Sequence, residues 1–180
     1  RGGLRRCHRV SAGPLDAAAD GFGAMAADRV GSEVPGVDLE LFHLSFTLSR
    51  VATRFIRRVE SVVHRPAGLT WAGFRVLFTI WVCGSLESHR IAHFGGLSRA
   101  SVSSAVNTLE RDGLVSRSRN SDDRRLVTVS LTEEGRRRVR DAYADQHEVE
   151  SVAFGGLADR DRSDLIRLLD ELLAVPYTDG

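Results

Sequence analysis

Apolar residues along this chain follow two rhythms, and the order in which those rhythms alternate carries most of the signal. From position 39 onward Leu41, Leu44, Leu48, Val51, Phe55, Val59 and Val62 step by 3, 4, 3, 4, 4 and 3 residues, with Phe42, Ala52, Ile56 and Val63 widening the stripe. That spacing lines one face of a long α-helix. It is expected to end before Pro66, because proline disfavours helical backbone in the residue before it. A second helix is predicted over 70–82, opened by Thr70 as cap and carrying Trp71, Phe74, Leu77, Phe78 and Trp81. A short helix over 87–94 follows, with Ile91, Ala92 and Phe94 as its buried contacts. After Gly95, Gly96 and Leu97, Ser98 can cap another, in which Val102, Ala105, Val106 and Leu109 recur at i, i+3, i+4 and i+7. It should end near Asp112, with Gly113 in the left-handed cap conformation. Leu114 and Val115 then begin a strand, and Val127, Val129 and Leu131 alternate with Leu126, Thr128 and Ser130, so period two replaces period 3.6. Two closing helices are predicted over 133–154 and 159–173, joined through Gly155 and Gly156, the last with Leu165, Ile166, Leu168, Leu169, Leu172 and Leu173 as a strong stripe.

Two helices joined by a short glycine turn and followed by a strand pair make up the order of a winged helix-turn-helix, a unit that places its second helix in a DNA groove. The residues off the apolar stripe fit that use. Ser98, Arg99, Ser101, Ser103, Ser104, Asn107, Thr108 and Arg111 crowd the exposed side of the helix over 99–112, and short donors and acceptors on a slim helix let its backbone approach base edges in the major groove. The strand pair is the wing. Arg117 and Arg119 lead into its tip, which carries Asp123, Arg124 and Arg125. Arginine at a hairpin tip suits the negative potential of a narrow minor groove, and Asp123 is expected to orient it.

The runs Leu97, Ser98, Arg99, Ala100, Ser101, Val102, Ser103, then Leu109, Glu110, Arg111, Asp112, Gly113, Leu114, Val115, then Asp123, Arg124, Arg125, and finally Leu131, Thr132, Glu133, Glu134, Gly135 resemble the multiple-antibiotic-resistance regulator (MarR) family. The resemblance covers 39–173 in element order, and its specific part lies between 87 and 135. It implies a mainly α fold with a small β-hairpin wing, acting as a homodimeric repressor or activator on a pseudo-palindromic operator, with Arg125 of the wing in the minor groove. One departure bears on specificity. Many members of the family carry a long basic side chain in mid recognition helix where this chain has Ser104 and Ala105.

The implied division is an N-terminal arm over 1–36, a helical dimerisation region over 37–66 and 133–180, and a winged helix-turn-helix over 67–132. The long helix from 39 is too broad in its apolar face to be covered by a small winged lobe, so it should bury the excess against the closing helices or a second subunit. A homodimer is expected, because two recognition helices about 34 Å apart can address a two-fold site. The family also implies an effector pocket between the lobes, which Phe46, Arg50, Trp71 and Arg75 would line for a small anionic or aromatic compound. The plainer reading of the aromatic helix over 70–82 is core.

Composition sharpens this picture. The chain has 180 residues, 42% of them hydrophobic, and a net charge of +1, but the average hides a segregation. Positions 90–140 hold 11 arginines against 6 acids, giving +5, whereas 141–180 hold 3 against 10, giving −7. A basic middle and an acidic end suit a molecule with one face on nucleic acid, although solvated surfaces alone can produce such a pattern. All 25 basic residues are arginine, which grips phosphate bidentately.

No run approaches the roughly 18 apolar residues of a membrane helix, and no secretory signal is visible, so a cytoplasmic location is expected and no membrane partner. Cys7 and Cys83 are too far apart in sequence for a disulfide framework, and Cys83 reads as an inert buried thiol. His89 and His93 stand i, i+4 with Glu87 and Cys83 nearby, short of the three or four ligands a zinc site needs, so no metal is expected. There is no phosphate loop, nucleophile elbow or cofactor motif, and the chain does not read as an enzyme. The competing reading is a dimeric helical interaction scaffold, which would have no reason to keep Arg99, Arg117, Arg119, Arg124 and Arg125 on one side. The first 36 residues, rich in Gly and Ala with Arg1, Arg5, Arg6 and Arg9, read as a flexible arm, with phosphate or minor-groove contacts as the alternative role.

Overall fold

The structure is a computed structural model that describes residues 14–119 and 127–176, apart from the side chains of residues 14–20 and 119. The chain divides into two compact units, 1–54 and 55–180.

In the first unit, helix α1 (Pro14–Glu33) is followed by α2 (Leu39–Val59), which ends in the second. The expected flexible arm is therefore helical from Pro14 onward. Ala17, Ala18, Ala19, Ala24, Ala26 and Ala27 explain why, since alanine is the strongest helix former and a Gly/Ala-rich stretch is flexible only where glycine dominates. Packing adds to propensity. Phe22 of α1 lies 6.0 Å from the ring of Phe46, which stacks on Phe42 at 5.4 Å. Asp38 caps α2, its carboxylate accepting from the N–H groups of Glu40 and Leu41 at 2.9 and 3.1 Å.

The helical path of α2 runs on through a wider turn at Glu60–His64, closed by an i→i+5 bond from Arg65 N–H to Glu60 O at 2.9 Å. The extra residue lets Val59, Val63 and His64 all face inward, and the helix stops at Pro66 as expected.

The second unit is organised around α3 (Trp71–Cys83), capped by Thr70. Its Phe74, Val76, Leu77 and Ile80 are buried together with Ile91 of α4 (Ser88–Gly95), Val102, Val106 and Leu109 of α5 (Arg99–Arg111), and Val139 of α6 (Glu133–Phe154). Trp71, Phe78 and Trp81 pack half-buried at the rim of that core. Of the contacts expected for α4, Ile91 and Ala92 are buried, but Phe94 is 50% exposed with the Arg90 guanidinium 5.7 Å over its ring. Gly95 takes the inward place, because the helix is short and ends against α3.

Strands β1 (Leu86–Glu87), β2 (Val115–Arg119) and β3 (Val127–Leu131) form an antiparallel sheet in the order β1-β3-β2. Val115 pairs with Leu131 and Arg119 with Val127 across the wing, and Leu86 pairs with Val129. The wing pair agrees with the alternation in the sequence. The third strand does not, since Glu87 was expected to begin a helix. Two residues are too few to show a period, and β1 exists only through its long-range pairing.

Helix α6 is tied down at its start. The Thr132 hydroxyl donates to Gly113 O at 2.7 Å and accepts from Gly135 N–H at 3.0 Å, and a Cβ on Gly135 would lie 1.9 Å from Leu114 O. The Leu-Thr-Glu-Glu-Gly run thus has a steric meaning: α6 starts against the backbone that leaves α5. Helix α7 (Asp159–Ala174) completes the unit and has no buried residue.

Candidate nucleic-acid interface

The helix-turn-helix is built from capping groups. Helix α4 ends at Gly96, whose φ of 60° lets its N–H and that of Leu97 close back on the carbonyls of His93 and Ala92. Ser98 then starts α5, its hydroxyl accepting from Ser101 N–H at 3.1 Å. Gly113, at φ 71°, releases the chain into β2.

One further contact fixes the turn. Arg75 of α3 donates twice to Gly95 O, at 2.7 and 3.1 Å, with its guanidinium 5.7 Å over Trp71. A cation thereby sits on the C-terminal carbonyl of α4, where the helix dipole favours it. Arg75, expected to line an effector pocket, makes this bond instead within the second unit, and nothing in the spacing of Arg75 and Gly95 announces it.

On α5, Val102, Ala105, Val106 and Leu109 face the core, while Arg99, Ser103, Ser104, Asn107, Thr108 and Arg111 are exposed and Ser101 is half-buried. The exposed side has two flanks. Ser101, Ser104 and Thr108 border an open groove of about 500 Å³ whose other wall is Gly68–Gly73, the start of α3. Asn107 and Glu110 instead meet the wing, where Arg117 of β2 donates to Asn107 Oδ1 at 2.6 Å and pairs with Glu110 Oε2 at 3.2 Å. Glu110, part of the run that resembles the family, is not among the expected DNA-contacting residues, although its place three residues after Asn107 puts both on one helical face. Arg111 pairs with Asp112 at 3.2 Å. Arg119 stands opposite Val127 in the strand pair, and Asp123, Arg124 and Arg125 lie outside the described residues.

The remaining candidates fall elsewhere. In the first unit, Arg50 sits 5.7 Å over the half-buried Phe46 ring. Trp71, in the second, stacks on His64 with centroids 5.5 Å apart. Cys83 is exposed, contrary to the expected buried thiol: it is the last residue of α3, where the helix has already left the core. His89 is exposed and 3.4 Å from Glu87, and His93 is exposed against Phe94. Among the described residues, no group of three His, Cys, Asp or Glu side chains is placed to hold a metal.

His64 is a buried titratable group with no signal in the local sequence pattern. Gln146 donates to Glu150 at 2.9 Å, which turns the Gln146 carbonyl toward His64 Nε2 at 3.1 Å, so Nε2 carries the proton and donates. Nδ1 is buried without a partner. Burial lowers the His64 pKa below its ordinary 6.5, against the opposing influence of the Gln146 hydrogen bond and the Glu60 charge.

Comparison with known proteins agrees with this geometry. The MarR family model matches residues 69–127. The HTH-type transcriptional regulator YwaE of Bacillus subtilis strain 168 is 32% identical over 136 residues, 76% of this chain and 80% of that protein. The fold is similar to CouR of Rhodococcus jostii RHA1, solved bound to p-coumaroyl-CoA, with a TM-score of 0.66 at 27% identity over 76% of this chain and 95% of CouR. It is equally similar to BpsR of Bordetella bronchiseptica, whose DNA binding is regulated by 6-hydroxynicotinic acid, with a TM-score of 0.66 at 25% identity over 72% of this chain and 97% of BpsR. The capped helix-turn-helix, the wing strands and the matched residues together make this chain a member of the MarR family of DNA-binding transcriptional regulators.

Proposed function

We propose that this regulator works as a homodimer that represses its target genes from a pseudo-palindromic operator, and that an aromatic anion releases it. The observation that carries the dimer is α7. None of its residues is buried, yet Leu165, Ile166, Leu168, Leu172 and Leu173 are large, apolar and exposed, as are Leu41, Leu44, Leu48 and Val51 along α2. Apolar surface of this extent on two amphipathic helices is stabilised by a second subunit.

In the proposed complex the exposed face of α5, with Ser98, Arg99, Ser101, Ser103, Ser104, Asn107, Thr108 and Arg111, enters the major groove. Arg117 stands beside α5 at the edge of that groove, while Arg119 and the wing-tip residues Arg124 and Arg125, oriented by Asp123, approach the backbone and minor groove. The effector class rests on likeness: 6-hydroxynicotinic acid and p-coumaroyl-CoA, named with BpsR and CouR, both join an aromatic ring to negative charge. Arginine stacked on an aromatic ring, as in Arg50 with Phe46 and Arg75 with Trp71, is a surface suited to such a compound. Release would be a population shift toward a dimer whose recognition helices are wrongly spaced, with a coupling of about 1 to 3 kcal/mol. The function is one of binding rather than catalysis, and a protein acting on chromosomal DNA would work in the cytoplasm.

The test is fluorescence anisotropy on genomic fragments, including the gene's own upstream region, at two salt concentrations and with Arg125→Ala. Sequence-selective, salt-dependent binding that weakens in the variant is expected. Binding no better than to random DNA would direct attention to protein partners of a helical scaffold instead.

A further inference from the structure

Arg117 has only donors, so the Asn107 atom it meets at 2.6 Å is the amide oxygen, and the second arm of the same guanidinium is held by Glu110 at 3.2 Å. Arg117 cannot turn away without leaving Glu110. It is also placed by the sheet, as the residue of β2 opposite Val129. The exposed Asn107 side chain thereby has its amide oxygen drawn to the guanidinium, with one lone pair engaged, while both donors of its Nδ2 group are left for another partner.

That polarity has a consequence for base reading. An asparagine that reads adenine uses both ends of its amide, accepting from N6 and donating to N7, whereas guanine shows two neighbouring acceptors, N7 and O6, in the major groove. We propose that Arg117 is a specificity-determining residue acting through Asn107: by holding the amide oxygen on the wing side it makes Asn107 present its Nδ2 donors to the groove, which selects guanine over adenine at one base pair in each half-site. The proposal rests on the reading that α5 enters the major groove. It assigns Arg117 a role distinct from a phosphate clamp, since its charge already faces Glu110.

The experiment is selection from a random duplex pool with the unmodified protein, Asn107→Ala and Arg117→Ala, followed by anisotropy on the enriched site and its single-base-pair variants. Thermal melting confirms that each variant is folded, and Arg117→Leu, which keeps an aliphatic stem, replaces alanine if that protein melts early. Asn107→Ala identifies the base pair by losing preference there. At that pair the unmodified protein is expected to select G·C, and Arg117→Ala to admit A·T, the ratio between the two falling by roughly 5- to 150-fold. An A·T pair at that position in the unmodified protein would overturn the proposal, as would no position responding to Asn107→Ala. So would an Arg117→Ala protein that keeps its G·C preference while binding all sequences more weakly with a salt slope reduced by about one, the mark of a phosphate contact. A pool in which the unmodified protein enriches nothing would refute groove reading by α5 itself, and the proposal would fall with it.

Discussion

His64 shows how a single residue ties stability to pH. Its ring stacks on Phe74 with centroids 4.2 Å apart, is fully buried, and has its Nδ1 unpartnered. The neutral form is favoured because a second N–H would have no acceptor and burial penalises the charge. The folded-state pKa lies below 6.5, so the unfolded chain takes up this proton first as pH falls. The contribution of His64 is therefore complete above about pH 6.5 and is lost as pH falls through that value toward the lower folded-state pKa. Melting temperatures between pH 8 and pH 5 should decline over that window, and a His64→Phe protein should decline less.

Elements meet at two backbone contacts that decide how the recognition helix is held. The first joins α6 to the turn after α5. Gly135→Ala would place a Cβ 1.9 Å from Leu114 O, a clash that only backbone movement relieves. A loss of about 1 to 3 kcal/mol in chemical denaturation is expected, and operator affinity should fall with it. The second is Arg75 on the Gly95 carbonyl, at 2.7 and 3.1 Å. Removing a charged donor from a part-buried carbonyl costs about 1 to 3 kcal/mol. Arg75→Ala should show that loss, together with faster hydrogen exchange at Gly96 and Leu97, whose N–H groups close the turn. Unchanged exchange there would separate Arg75 from the recognition helix.

Charge and apolar surface at the scale of the whole molecule define two functions in one chain. Positions 90–140 carry +5 and 141–180 carry −7, so binding should weaken steeply with salt through the basic part while the acidic end stays off the DNA. Dimer formation should rest on the apolar residues of α2 and α7. Leu44 is 55% exposed and Leu168 48%, so each tolerates a polar replacement within the monomer. Burying the exposed half of either in an interface contributes about 0.8 to 1.5 kcal/mol per subunit. Leu44→Glu combined with Leu168→Glu should shift the protein to monomer in sedimentation at micromolar concentration. Operator affinity should fall more than about tenfold, because a single recognition helix then addresses half a site.

Features that rest on local spacing are legible in the chain alone. Ser98 and Thr70 cap the helices they are expected to cap, and the stripe Val102, Ala105, Val106 and Leu109 is the buried face of α5. The wing strands follow the alternation of Val127, Val129 and Leu131. Each of these signals lies within one turn or one strand, where side-chain period and capping chemistry act directly on the backbone. Tertiary structure decided what depends on partners distant in sequence. Phe94 faces outward and Gly95 inward because α4 stops against α3. Cys83 is exposed because α3 has outrun the core, and β1 is a strand only beside Val129. Pairing Arg75 with Gly95, His64 with Gln146, and Arg117 with Asn107 and Glu110 spans 20, 82, 10 and 7 positions. The ends of such pairs are brought together by the packing of the core, and no periodicity along the chain records them.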